Sequence, residues 1–275
     1  MRDSGTTKRT AKPFYLPPTL VARQALSILY FGQITGWRRL PQWLFKGVRT
    51  LPTAAGAMGM GCIGFPIHPV WEATAACNLR CRHCHASAAR SLAGELNTEE
   101  GKKLIQDIAT VPEFRLLVFS GGEPMVRPDI IELVEVASAV GLEVAIATNG
   151  TLIDTPMARK LKKAGVCDLA IGLDAATPEV HDFIRNTPGA FERAMRGIKA
   201  CREAGLCLQI NVTVMKHNYE EIPKLLDLAD EVEAHIVLLY HLVPQGRGSS
   251  EDLELSQSQY AELMGTVAKR QKTAV

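Results

Sequence analysis

The sequence predicts an α/β fold: six short strands alternating with helices, forming one parallel sheet that rolls into a partial (β/α)6 barrel behind a basic, partly helical extension. Three observations carry this expectation. From Pro69 onward, β-branched or apolar runs recur six times, each followed by a segment with helical spacing and a start signal. Polar and glycine-rich segments fall at the C-terminal ends of these runs, where parallel sheets gather their sites. The 275 residues are 47% hydrophobic and 22% charged, enough apolar material for one sizeable core.

Residues 1–68 form the extension and 69–275 the barrel. Residues 1–69 hold nine Lys and Arg against the single acid Asp3, a charge of +8, whereas the remainder carries −6. A basic arm on an acidic body suits contact with an anionic membrane surface or a partner, or simple solvation. Within the arm, Thr19 to Thr35 is apolar but broken by Arg23, Gln24 and Gln33, which reads as an amphipathic helix. Thr50 to Trp71 lacks charge but carries many glycines and three prolines, a linker and not a membrane span.

The predicted strands are Val70–Thr74, Arg115–Phe119, Glu143–Ala147, Asp168–Leu173, Cys207–Val214 and His235–Tyr240. Asn97 with Glu100 forms a capping box before Leu104, Ile105 and Ile108. Pro128 suits a first helical position ahead of Ile130, Ile131 and Val134. Thr155 and Pro156 start a helix that Gly165 ends. Phe191, Ala194, Ile198 and Cys201 make the buried stripe of the next one, ended by Gly205. Pro223 interrupts the first turn of the fifth, and Ser256 with Gln259 caps the last.

The formal net charge of +2 gives no reason to expect a nucleic-acid partner. Seven cysteines accompany a start, MRDSGTTKRTAK, without the apolar stretch of a secretory signal, so a reducing, cytoplasmic setting is expected. Cys62, Cys167, Cys201 and Cys207 are scattered, but Cys77, Cys81 and Cys84 lie within eight residues. Three thiolates at that spacing can wrap one iron–sulfur cube from a single loop. A 4Fe–4S cluster usually has four cysteine ligands, so three leave one iron open for chemistry. The alternative is a zinc module, with His83 or His85 as the fourth ligand and the chain serving as a binding scaffold; zinc sites usually draw a second ligand pair from a distant segment. The spacing favours iron and sulfide.

Other candidates sit at the ends of later strands. Ser120-Gly121-Gly122-Glu123-Pro124 follows the second, and its paired glycines let a backbone approach a ligand closely. Asn149-Gly150 follows the third and Asp174 the fourth; singly these read as a turn and a helix cap. Asn211 and Thr213 punctuate the fifth, and His241 opens the segment to Gly248 after the sixth. His241 is a weak proton-transfer candidate on the substrate side.

CxxxCxxC after the first strand with GGEP after the second resembles the radical S-adenosylmethionine (SAM) superfamily. The resemblance spans roughly Pro69 to Lys269. WEATAACNLRCRHCHASA, ATNG, LDAATPEVHDFIRNTPGAF and HLVPQGRG resemble its branch that matures haem-type cofactors and peptides. The resemblance implies that Cys77, Cys81 and Cys84 ligate a 4Fe–4S cluster whose fourth iron takes the amino and carboxylate groups of S-adenosylmethionine. It implies that Ser120, Gly121, Gly122, Glu123 and Pro124 form the turn that holds the cofactor's amino group. Asn149, Asp174, Arg185 and Thr213 are then candidates for its other polar groups, with Leu242 and Val243 near the adenine. Reductive cleavage to a 5′-deoxyadenosyl radical, a flavodoxin- or ferredoxin-type electron donor and a small-molecule or peptide substrate follow from the same resemblance. Two departures stand out. Many relatives have serine before Leu-Asp on the fourth strand, where this chain has Gly172; and relatives usually carry a cysteine-rich C-terminal domain, whereas here no cysteine follows Cys207.

Overall fold

Alternation at period two sorts every strand into two faces, and the two faces carry different residues. In the computed structural model, which describes residues 68–111, 114–249 and 252–273, the strands are β1 (Val70–Thr74), β2 (Leu116–Gly121), β3 (Glu143–Thr148), β4 (Val166–Gly172), β5 (Cys207–Val214) and β6 (Ile236–His241). All pair in parallel, in sequence order from β1 to β6. The face bearing Leu117, Phe119, Ile146, Leu169, Ile171, Leu208 and Ile210 joins the helices in one large core. On the other face, Leu116, Val118 and Ala145 form a small separate cluster with Ala147 against it. By register that inner face continues through Ala170, Gly172, Gln209, Asn211 and Thr213. Large aliphatics thus hold the helices on, while the concave side sets Leu116 and Val118 beside the small and polar residues of β3, β4 and β5. Each buried outer aliphatic contributes about 1.5–3 kcal/mol, so Leu169→Ala would cost roughly 2–5 kcal/mol.

The helices are α1 (Thr98–Ala109), α2 (Ile130–Ala139), α3 (Thr155–Ala164), α4 (Pro178–Arg185), α5 (Ala190–Glu203), α6 (Ile222–Glu231) and α7 (Gln257–Thr273). The Asn97/Glu100 capping box is present on α1, and Ser256 and Gln259 exchange hydrogen bonds at the start of α7. α3 is capped by Asp154, whose side chain accepts the Met157 N–H, and not by Thr155. Pro128 precedes α2, whose N-cap is Asp129. Pro223 does not disrupt α6, because it falls in the first turn, where its missing N–H has no intrahelical partner to lose. β4 starts at Val166, two residues earlier than its apolar pattern indicates, and β2 runs on to include Ser120 and Gly121. α4 was not expected from the sequence. Eight residues are too few for a clear periodic stripe, although Thr177-Pro178 marks its start.

No described helix is long and apolar enough to cross a membrane. The amphipathic segment at 19–35, the Gly/Pro-rich linker and Cys62 lie outside the described residues.

Candidate active site

A loop leaving the C-terminal end of β1 presents Cys77, Cys81 and Cys84, and its shape is held from several sides. Leu79 is buried beneath it. Arg80 donates to the carbonyls of Cys77, Leu79 and Ala89 at 2.6, 2.9 and 3.1 Å. Arg82 donates to the Phe183 carbonyl at 3.1 Å, its guanidinium lying 4.2 Å from the Phe183 ring centre. From beyond β6, Arg247 Nε donates to the Cys81 carbonyl at 2.7 Å and its backbone N–H to the Cys84 carbonyl at 3.0 Å. Gly246 backs so closely onto the Cys84 and His85 carbonyls that no side chain fits between. The last strand's loop therefore clamps the first strand's loop.

Each cysteine sulfur accepts one N–H. Leu79 donates to Cys77 Sγ and Ala88 to Cys84 Sγ, both at 3.4 Å, and Arg185 Nη1 lies 3.9 Å from Cys81 Sγ. Burial pushes the Cys77 and Cys81 thiols up, with Arg185 opposing the effect at Cys81. The other described cysteines lie elsewhere. Cys167 and Cys207 sit at the N-terminal ends of β4 and β5, and Cys201 is in the helix-side core.

At the end of β2, Gly121 has φ +124° and a Cβ there would strike the Thr74 carbonyl; one on Gly122 would strike Ala76. The Gly122 and Glu123 N–H groups donate to the Thr74 and Ala76 carbonyls at 2.7 and 2.8 Å. Those two amides are therefore engaged within the protein, and the turn is left with carbonyl oxygens to offer an ammonium group. Pro124 begins a single 3₁₀ turn, and Ser120 faces the concave side opposite Glu72. Glu123 is fully buried. Its carboxylate accepts Thr148 Oγ1 at 2.7 Å and the N–H groups of Asn149 and Met125 at 2.7 and 3.0 Å. Burial raises its carboxyl above the ordinary range despite those donors. Asn149 in turn donates to Asn78 in the cysteine loop at 2.8 Å.

Asp174 is 1% exposed and faces two basic groups. Its Oδ2 lies 2.8 Å from Arg185 Nε and 3.8 Å from His83 Nε2, and its Oδ1 accepts the Thr213 N–H at 3.0 Å. Burial works against its ionisation, yet the Arg185 guanidinium above all holds its carboxyl below the usual range. His181, pushed down to about 3 mainly by burial, is neutral and accepts the Asp174 N–H at Nδ1. His83 is also lowered by burial.

The structure thus gathers Cys77, Cys81, Cys84, Asp174, Arg185 and the Thr213 backbone in one contact network. Gly121–Pro124 and Asn149 form a second, joined to the cysteine loop through Ala76 and Asn78. Leu242 packs with Ile184, Met215 and Leu253, while Val243 is 52% exposed. His241 is a correction. It shares parity with the outward-facing Val237 and Leu239, and its ring sits 4.8 Å from that of Tyr260 on α7, turned away from the concave side. Arg247 and Glu123 matter in ways the sequence reading missed; only the Gly-Arg-Gly spacing hinted at the first.

The donor set suits a cluster of several irons with one left open; among the described residues no three His, Cys, Asp or Glu side chains are grouped to hold a single metal ion. Three thiols share one loop, each already accepts an N–H, and Asp174 Oδ2, Arg185 Nε and His83 Nδ1 are buried beside it without an aligned hydrogen bond. A parallel sheet carrying such a cysteine loop at the C-terminal end of its first strand defines an α/β protein of the cluster-binding kind. The sequence profile described as the Radical SAM superfamily matches residues 71–229. A relative named AdoMet-dependent heme synthase, from Methanosarcina barkeri, is 43% identical over 203 residues, covering 74% of this chain and 58% of its own. Mycofactocin maturase MftC from Mycobacterium tuberculosis is 36% identical over 201 residues, covering 72% and 51%. Among solved structures, Streptococcus suis SuiB bound to S-adenosylmethionine superposes with a TM-score of 0.67 at 17% identity, covering 90% of this chain and 58% of that one. The chain belongs to the radical SAM superfamily, whose cofactors are a 4Fe–4S cluster and S-adenosylmethionine. It spans about half the length of the curated relatives it matches.

Proposed function

We propose that Cys77, Cys81 and Cys84 ligate three irons of the 4Fe–4S cluster, and that the chain starts radical chemistry on a haem-type cofactor precursor. The observation that carries the proposal is the cysteine loop itself: three thiols at the C-terminal edge of the sheet, each with an N–H donor in place. When bound and reduced, the cluster supplies the electron that splits S-adenosylmethionine into methionine and a 5′-deoxyadenosyl radical able to take hydrogen from an unactivated carbon.

This chain's residues bind and orient. The Gly121–Pro124 turn offers carbonyl oxygens to the cofactor's ammonium group. Arg185 has N–H capacity beyond Asp174 and suits its carboxylate. Asn149, Asp174 and Thr213 serve its remaining polar groups, and the segment at Leu242 and Val243 lies toward the adenine. Ala145, Ala147 and Ala170 keep side chains on the concave side short beside a bulky substrate, and the closed outer core keeps water from the radical. The name of the 43%-identical relative supports a haem precursor over a peptide. A flavodoxin- or ferredoxin-type protein supplies the electron, and the +8 of residues 1–69 docks an anionic surface or partner. Salt-insensitive binding to anionic vesicles, or none, would count against the membrane form of that docking.

The test is anaerobic reconstitution with iron and sulfide, followed by assay of 5′-deoxyadenosine with an iron porphyrin carrying propionate groups. Brown protein, 5′-deoxyadenosine and a porphyrin of altered mass are expected, with both cluster and product lost in Cys81→Ala. A colourless protein, or undiminished product from Cys81→Ala, refutes the assignment. An unaltered porphyrin beside an altered peptide moves the substrate to the peptide-maturing side.

A further inference from the structure

Of the three donors to the cysteine sulfurs, one differs in kind. Leu79 and Ala88 give backbone N–H groups whose positions the loop fixes. The third is a buried cation on α4, Arg185, 104 residues from the Cys81 sulfur it reaches. Its approach depends on residue 172. A Cβ on Gly172 would collide with Arg185 Nη2 and would lie 3.2 Å from both Cζ and Nη1. The other side of the guanidinium is fixed, with Nε 2.8 Å from Asp174 Oδ2. Gly172 is thus the vacancy that the arginine fills.

We propose that Gly172 and Arg185 act as a pair in which the glycine admits the guanidinium to the Cys81 sulfur and the guanidinium raises the reduction potential of the cluster. The proposal rests on the ligand assignment above. Reduction adds one negative charge to the cluster. Hydrogen bonds and positive charge at a ligating sulfur stabilise the reduced form, and burial keeps solvent from screening them. Asp174 does not cancel the effect. It lies on the Nε side, so the ion pair is a dipole with its positive end on Cys81. Arg185 is here a positioning and tuning residue.

The experiment is a reductive titration of reconstituted protein without S-adenosylmethionine, with the reduced cluster followed by electron paramagnetic resonance. It compares wild type with Gly172→Ala, Arg185→Lys and Arg185→Met. Gly172→Ala and Arg185→Met are each expected to lower the equilibrium constant for reduction about tenfold, a midpoint ~59 mV more negative for one electron. Arg185→Lys, which keeps the charge without the fork, should fall between. Equal midpoints in wild type and Gly172→Ala overturn the proposal. Should Arg185→Met fail to take up iron because Asp174 is left buried and unpaired, Gly172→Ala decides alone, since it keeps both charges. A wild-type protein that forms no cluster refutes the ligand assignment, and this inference falls with it. A wild-type cluster with unshifted variants removes only this inference.

Discussion

Glu123 and Asp174 are both buried carboxylic acids at the C-terminal ends of strands, and their surroundings push them in opposite directions. Glu123 meets a hydroxyl and two backbone N–H groups but no cation at hydrogen-bond distance, and burial raises its carboxyl. Asp174 accepts the Thr213 N–H and lies against Arg185, and its carboxyl is held low. Equal burial therefore does not decide charge; the presence of a full cation does. Glu123 ties the end of β3 to the glycine turn as a structural acceptor. Asp174 keeps a buried guanidinium charged and aimed beside Cys81.

The largest expected effect is that of Asp174→Asn, which leaves the Arg185 guanidinium buried without its counter-ion. Urea denaturation near neutral pH should show a loss of about 3–5 kcal/mol; a loss under about 1 kcal/mol would mean the pair is not coupled. Glu123→Gln keeps the shape but turns an amide NH₂ toward groups that are themselves donors. Its loss should be smaller, about 1–3 kcal/mol, and a cost equal to that of Asp174→Asn would erase the contrast. The pH dependence of the two losses sharpens it. Asp174 has a depressed native pKa, so its contribution is present above the ordinary aspartate range and is lost as pH falls through the native value. Glu123 has a raised one, so its contribution is fully present below the ordinary glutamate range and is lost as pH rises through the native value. Across roughly pH 3 to 7, the Asp174→Asn penalty should grow with pH while that of Glu123→Gln shrinks; parallel slopes would contradict the opposed shifts. The smallest effect, about 1 kcal/mol, is expected of Thr148→Val, which removes one of the three donors to Glu123. Thermal unfolding at two pH values would measure it, and no change at either would mean that the two backbone N–H groups suffice.

Local features were readable in the sequence. β1 and β5 run between the residues their β-branched runs indicate, and the α1 capping box forms from Asn97 and Glu100. Each rests on residues a few positions apart, where period and cap chemistry act. The site was readable as a set of strand-end residues but not as a network. Nothing in local spacing says that Arg185 reaches Cys81, that Arg247 holds the Cys81 carbonyl, or that Glu123 turns inward to Asn149. Those contacts depend on how six units stack, and their partners lie 104, 166 and 26 residues apart. His241 was misjudged for a related reason: β6 ends at His241 itself, so strand parity still governs its ring. Gly172 read as a lost polar contact, whereas its missing side chain makes room for the Arg185 guanidinium.

The clamp formed by Arg247 has a consequence for biosynthesis. The cysteines leave the ribosome early, and the arginine that secures their loop follows 166 residues later. At translation rates of about 5–20 residues per second, roughly 8 to 30 seconds pass in which the thiols are made but the far wall of their cradle is not. During that interval the loop lacks the contacts that Arg247 makes from beyond β6, so it reaches its clamped form only once the sixth unit has emerged and docked.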